Sequence, residues 1–128
     1  MFKISPEGNP EIIKKYEKQC SFTYKVGAFL YAMTDCDSGE IMGIAQFDIK
    51  ENCGYILNLK EKDGLSDFEA MFILGRQTMN FINTCGPDIC LADKKGSDNS
   101  LLKAIGFTER QDNFYCDMTG MFEGKCSH

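Results

Sequence analysis

The chain has 128 residues, a net charge of −5, 43% hydrophobic and 26% charged residues. That is enough chain for one compact domain and too little for two. The acidic balance excludes nucleic-acid binding through a basic surface, since phosphate neutralisation needs clustered lysine and arginine, and it favours an amine-bearing partner.

There is no internal repeat, low-complexity tract or Pro/Ser-rich linker, so residues 1–128 read as one domain. The opening "MFKISPEGNP" has no apolar core for export, and no apolar run is long enough to span a membrane. Cysteine occurs 7 times, an odd number without CxxC spacing. Free thiols in a reducing cytoplasm are the expectation.

"FKIS" suits a short first strand. "NPEIIKKYEKQC" predicts a helix, with Asn9 as N-cap, Pro10 at the first helical position and Glu11 at the positive end of the dipole. Lys14, Lys15 and Lys18 form its solvated face. "YKVGAFLYAMT" reads as a central strand, its Phe29, Tyr31 and Met33 as core. "IMGIAQFDIK" is the return strand and "YILNLK" the third, with short turns at "DCDSGE" and "ENCG". Gly39 is available there for a positive φ. Strands joined so tightly pair antiparallel.

The long helix is predicted from Asp67 to about Asn83, with Phe68, Met71, Phe72, Gly75, Met79 and Ile82 on one face. Ser66 and Glu69 have capping-box spacing, and Gly86 and Pro87 end the segment. "DICLAD" is a short strand, and a helical crossover allows it to pair parallel with "YILNLK". "KKGSD" reads as a loop and "NSLLKAIGF" as a short helix stopped by Gly106. "TERQDNFYCDMTGMF" reads as a final strand or hairpin, where Met118, Met121 and Phe122 offer an apolar surface to a second copy of the chain. The fold class is α+β: a mixed, mostly antiparallel central sheet flanked by helices.

This element order, with the Ile105-Gly106-Phe107 corner in "LLKAIGFTERQDNFYCDM", resembles the GNAT superfamily of acyl-CoA-dependent N-acetyltransferases. The resemblance implies acetyl-CoA or another acyl-CoA as cosubstrate and a small-molecule amine as acceptor. The acyl arm would enter where the third meander strand splays from the next one, held at Leu57, Asn58 and Leu59. The pyrophosphate would sit at the start of the long helix, where free N–H groups and the dipole favour anions. That places Gly64, Leu65 and Ser66 in the cofactor set, with Lys60 and Lys62 at the loop mouth and Asn99 at the start of the short helix.

The stretch "GLSDFE" departs from the family's glycine pattern. Leu65, Asp67 and Glu69 stand at its glycine positions and Gly64 at its arginine position. Acids there stabilise a helix but repel phosphate, so the junction reads first as a capped helix start. Leu102 stands where the family often has a tyrosine. Tyr115 on the last strand is the candidate acid in its place, its alternative being a packed aromatic. Asn58, polar within an apolar strand, faces either solvent or the cleft. No glutamate or histidine lies in the central strands to act as base, and Asp48, near a strand end, reads as solvated. Cys126 and His128 are too few to hold a metal. Three functions stay open: acyl transfer to an amine, a GNAT-fold binding or regulatory module without catalysis, and an unrelated α+β domain.

Overall fold

The computed structural model describes residues 1–122. Strand β1 (Phe2–Pro6) leads into helix α1 (Pro10–Cys20), whose Asn9 side chain accepts the Glu11 N–H as the cap chemistry dictates. A three-strand meander follows: β2 (Phe29–Asp35), β3 (Ile41–Lys50) and β4 (Cys53–Glu61). Gly39 has φ 76° in the first turn, a conformation open to glycine without steric cost. Helix α2 (Phe68–Thr84) crosses to β5 (Ile89–Ala92). Helix α3 (Asn99–Ile105) and the hairpin β6 (Thr108–Glu109) and β7 (Phe114–Asp117) are the last elements among the described residues.

The strands form one 7-stranded sheet in the order β1-β2-β3-β4-β5-β7-β6. Every pairing is antiparallel except β4 with β5, because the α2 crossover returns the chain in the same direction. On one face, Ile13, Cys20 and Phe22 pack on Leu30, Ala32, Ile41 and Ile44. On the other, Leu74, Met79 and Ile82 of α2 and Leu102 and Ile105 of α3 pack on Met33, Ala45, Phe47, Ile56 and Leu59. The α1 cluster takes no residue from β4, β5 or β7. Among the described residues no helix covers the other half of that face, where Tyr55, Leu57, Leu91 and Tyr115 are half-buried.

Five readings from sequence are corrected. Residues 24–28 are not strand. The Tyr24 N–H goes to the Glu17 carboxylate and the Lys25 N–H to the Gln46 side chain, so neither joins the ladder. The capping box does not form: Asp67 is the N-cap of α2 and accepts the Ala70 N–H, while Ser66 stands outside the helix. Asp48 is 8% exposed and paired with Lys25 at 2.9 Å, not solvated. Met118 and Phe122 are buried in the core and Met121 packs against it, so they are not the exposed apolar residues expected. Within the aromatic run Met33 is fully buried, but Phe29 is 47% exposed and stacks on Phe47 from the rim. Residues Cys126 and His128 lie outside the described residues.

Candidate active site

The site is built where β4 outruns its neighbour. The β4–β5 ladder ends at Ile56 opposite Ala92, while β4 continues to Glu61. At the same point β4 carries a bulge. Gln46 of β3 faces Asn58 and Phe47 faces Ile56, which leaves Leu57 as the extra residue. A bulge bends a strand and sharpens its twist, so β4 turns away from β5 beyond Leu57.

The edge thus freed is not open to water. Segment 93–98 runs back along it. The Asp93 N–H donates to the Ile56 carbonyl at 3.1 Å, the Leu59 N–H donates to the Gly96 carbonyl at 2.9 Å, and Ser97 pairs with Leu59 as an isolated parallel bridge. The approach is so close that a Cβ on Gly96 would stand 1.8 Å from the Leu57 carbonyl oxygen, so only glycine fits. The Ser97 hydroxyl is buried and has no hydrogen-bond partner among the described residues.

A cavity lies against each part of this strap. One, of about 280 Å³, is lined by Tyr55, Leu57, Leu91, Asp93, Asp112 and Asn113. It opens on the uncovered half of the α1 face, since Ile56, Cys90 and Ala92 point into the opposite core. The other, of about 370 Å³, is lined by Leu59, Lys60, Glu61, Ser66, Phe68, Met71, Ser97, Asp98 and Leu101. It lies between the start of α2 and the start of α3. Asp93 at the start of the strap borders the first, and Ser97 and Asp98 at its end border the second.

The charges differ. Asp93 and Asp112, with no cation among the described lining residues, give the first cavity an acidic rim suited to an ammonium group. The second has Lys60 as its cation against Glu61 and Asp98. The Glu61 carboxylate accepts the Asp67 N–H at 2.7 Å and so ties the start of α2 to β4. Burial raises the Glu61 pKa above the usual carboxylate value, the Asp67 N–H partly opposing it.

The residues named from sequence are distributed as follows. Leu57 lines the first cavity, Leu59, Lys60 and Ser66 the second. Asn58 is half-buried beside the strap, its Oδ1 3.2 Å from the Cβ position of Gly96. Lys62 turns away, its Nζ 3.5 Å from Glu40. Gly64 makes a positive-φ turn at 87°, and Leu65 lines a separate hollow with Met1 and Phe2. Asn99 is the first residue of α3 and is exposed. Tyr115 lies opposite Leu91, with the Arg110 guanidinium 3.6 Å over its ring. Sequence reading missed Gly96, Ser97, Asp93 and Asp112. "KKGSD" showed a loop, and nothing local says which strand edge a loop will reach.

No protein-family model and no curated protein matches the chain. Solved structures do match in shape. A putative acetyltransferase of the GNAT family from Desulfovibrio desulfuricans superposes with a TM-score of 0.73 at 9% identity, over 92% of this chain and 99% of that one. The ribosomal-protein-S18-alanine N-acetyltransferase from Escherichia coli gives 0.69 at 12% identity, over 90% and 89%. A Bacillus subtilis acetyltransferase solved in complex with CoA gives 0.67 at 13% identity, over 91% and 99%. By its strand order, its parallel β4–β5 pair and these superpositions, the chain has the GNAT acetyltransferase fold.

Proposed function

We propose that this chain is an N-acyltransferase that moves an acyl group, acetyl in the simplest case, from acyl-CoA to a small-molecule amine. The observation that carries this reading is the bulge at Leu57, which separates β4 from β5 and brings a β4 main-chain edge between two cavities of opposite faces. An extended thioester arm has donors and acceptors to pair with along such an edge, and the fold is shared with a protein solved with CoA.

The second cavity takes the cosubstrate side, with Lys60 and the start of α2 toward its phosphates. The first takes the amine, held by Asp93 and Asp112. Acyl-CoA supplies the activated carbonyl. The chain's part is to align it with the amine nitrogen, to polarise it through main-chain N–H groups at Leu57–Leu59, and to exclude water. Tyr115 is assigned the proton returned to the leaving sulfur, and Asn58 the orientation of the acceptor. Water beside Asp93 receives the amine proton. The cysteines of the described residues are all free, which fits a cytoplasmic home.

The test is a thermal melt with and without millimolar acetyl-CoA, followed by an amine screen read by release of free thiol. Ligand at about 100 times its dissociation constant adds roughly 2.7 kcal/mol, a shift of several degrees. No shift, together with no thiol release, would leave the binding-module reading in its place. Tyr115→Phe is expected to lower kcat by about 100-fold while KM for acetyl-CoA stays put.

A further inference from the structure

We infer that segment 94–98 is a gate: it lies along the β4 edge, and an extended acyl-thioester arm displaces it and takes over the Leu59 N–H. This rests on the acyl-transfer reading above and adds to it how the site is controlled.

Acyl transfer needs the donor carbonyl and the acceptor nitrogen in contact. Leu57 and Asp93 border the cavity on the α1 face and Leu59, Ser97 and Asp98 the cavity between α2 and α3, so the Leu57–Leu59 edge, with Gly96 and Ser97 paired to it, runs from one to the other. With the strap seated, the Leu59 N–H is already bonded to the Gly96 carbonyl at 2.9 Å, so that donor is not free for a ligand. For an acyl-thioester arm to pair with this edge, the strap has to leave it.

The strap is also built to open. Against β4 it makes an isolated bridge rather than a ladder, and its ends are tied elsewhere, Lys94 to the Gln111 carbonyl and to Glu109, and Asp98 to the Ser100 N–H at the start of α3. It seats because position 96 has no side chain, the Leu57 carbonyl oxygen lying 1.8 Å from where a Cβ would be. Seating buries the Ser97 hydroxyl, which has no partner among the described residues, and a buried unpaired hydroxyl disfavours the state that buries it. Opening returns that hydroxyl to water. The closed form is therefore opposed from within, and a ligand that pairs with the edge shifts the population.

Two substitutions push this equilibrium in opposite directions. Gly96→Ala cannot seat and holds the gate open. Ser97→Ala removes the unpaired hydroxyl and favours the closed form. We would measure CoA affinity by calorimetry and stability without ligand by urea denaturation, for both variants and wild type. The expected result is CoA binding about tenfold tighter for Gly96→Ala with lower unliganded stability, and several-fold weaker for Ser97→Ala with higher unliganded stability. If wild type binds CoA and both affinities stay unchanged or move together, the gate is wrong while the acyl-transfer reading stands. If neither wild type nor Gly96→Ala binds CoA, both fall. Should Gly96→Ala fail to fold, the amide resonances of Gly96 and Ser97 in wild type decide. Large shifts on CoA saturation support the gate, and resonances that stay in place overturn it.

Discussion

At the residue scale, small differences in what touches a position decide its effect. A Cβ on Gly54 would stand 2.5 Å from Cγ2 of Ile82, in the buried seam between β4 and α2. Gly54→Ala overpacks that seam and is expected to cost about 1–3 kcal/mol, read by urea denaturation. Glu61 behaves differently. Its pKa is raised in the folded state because burial penalises the charged form. The native chain therefore holds that proton more tightly than the unfolded chain does. Its stabilising contribution is present below the unfolded pKa and is lost as pH rises through the folded one. Glu61→Gln keeps an acceptor for the Asp67 N–H and has no charge to bury. It should be more stable than wild type near pH 7, with the difference gone at about pH 4, by denaturation at both values.

At the element scale, the start of α2 and the loop before β2 are each held by side chains that sequence spacing misassigned or missed. Asp67 accepts the Ala70 N–H at 3.0 Å and Ser66 makes no such bond. Asp67→Ala is expected to cost about 1 kcal/mol, whereas Ser66→Ala should stay within about 0.5 kcal/mol, by the same measurement. The true cap lies one residue beyond the spacing signal because Glu61 holds the Asp67 N–H and shifts the first helical turn to Phe68. Gln46 is fully buried, accepts the Lys25 N–H at 2.6 Å and donates to the Thr23 carbonyl at 3.3 Å. Gln46→Leu leaves both main-chain groups without that partner and should lower stability by about 1–3 kcal/mol.

At the scale of the whole molecule, the core explains the thiols. Cys36 and Cys85 are exposed, while Cys20, Cys90 and Cys116 are buried. Burial pushes the Cys20 thiol up to about 12 and raises Cys90 and Cys116 as well. The thiolate is the reactive form, so these three resist alkylation in the native chain. Among the described cysteines, mass spectrometry after brief iodoacetamide treatment should find label first at Cys36 and Cys85. The buried ones should take it up only on adding denaturant. No helix among the described residues is long and apolar enough to cross a membrane.

Much of the architecture is written locally. Asn9 and Pro10 start α1, Gly39 turns the meander, and Gly106 stops α3 because these residues carry their preference within a few positions of chain. Hydrophobic period did the same for α2 and the meander, and element order was enough to point to the fold. The site was legible only as a place, the splay after Ile56. Its content depended on contacts between segments far apart in sequence: Gly96 against Leu57, Gln46 against Lys25, Arg110 over Tyr115. Local preference sets what a segment becomes. Which strand edge a loop closes is set by the packing of the whole sheet, and that only the tertiary structure decided.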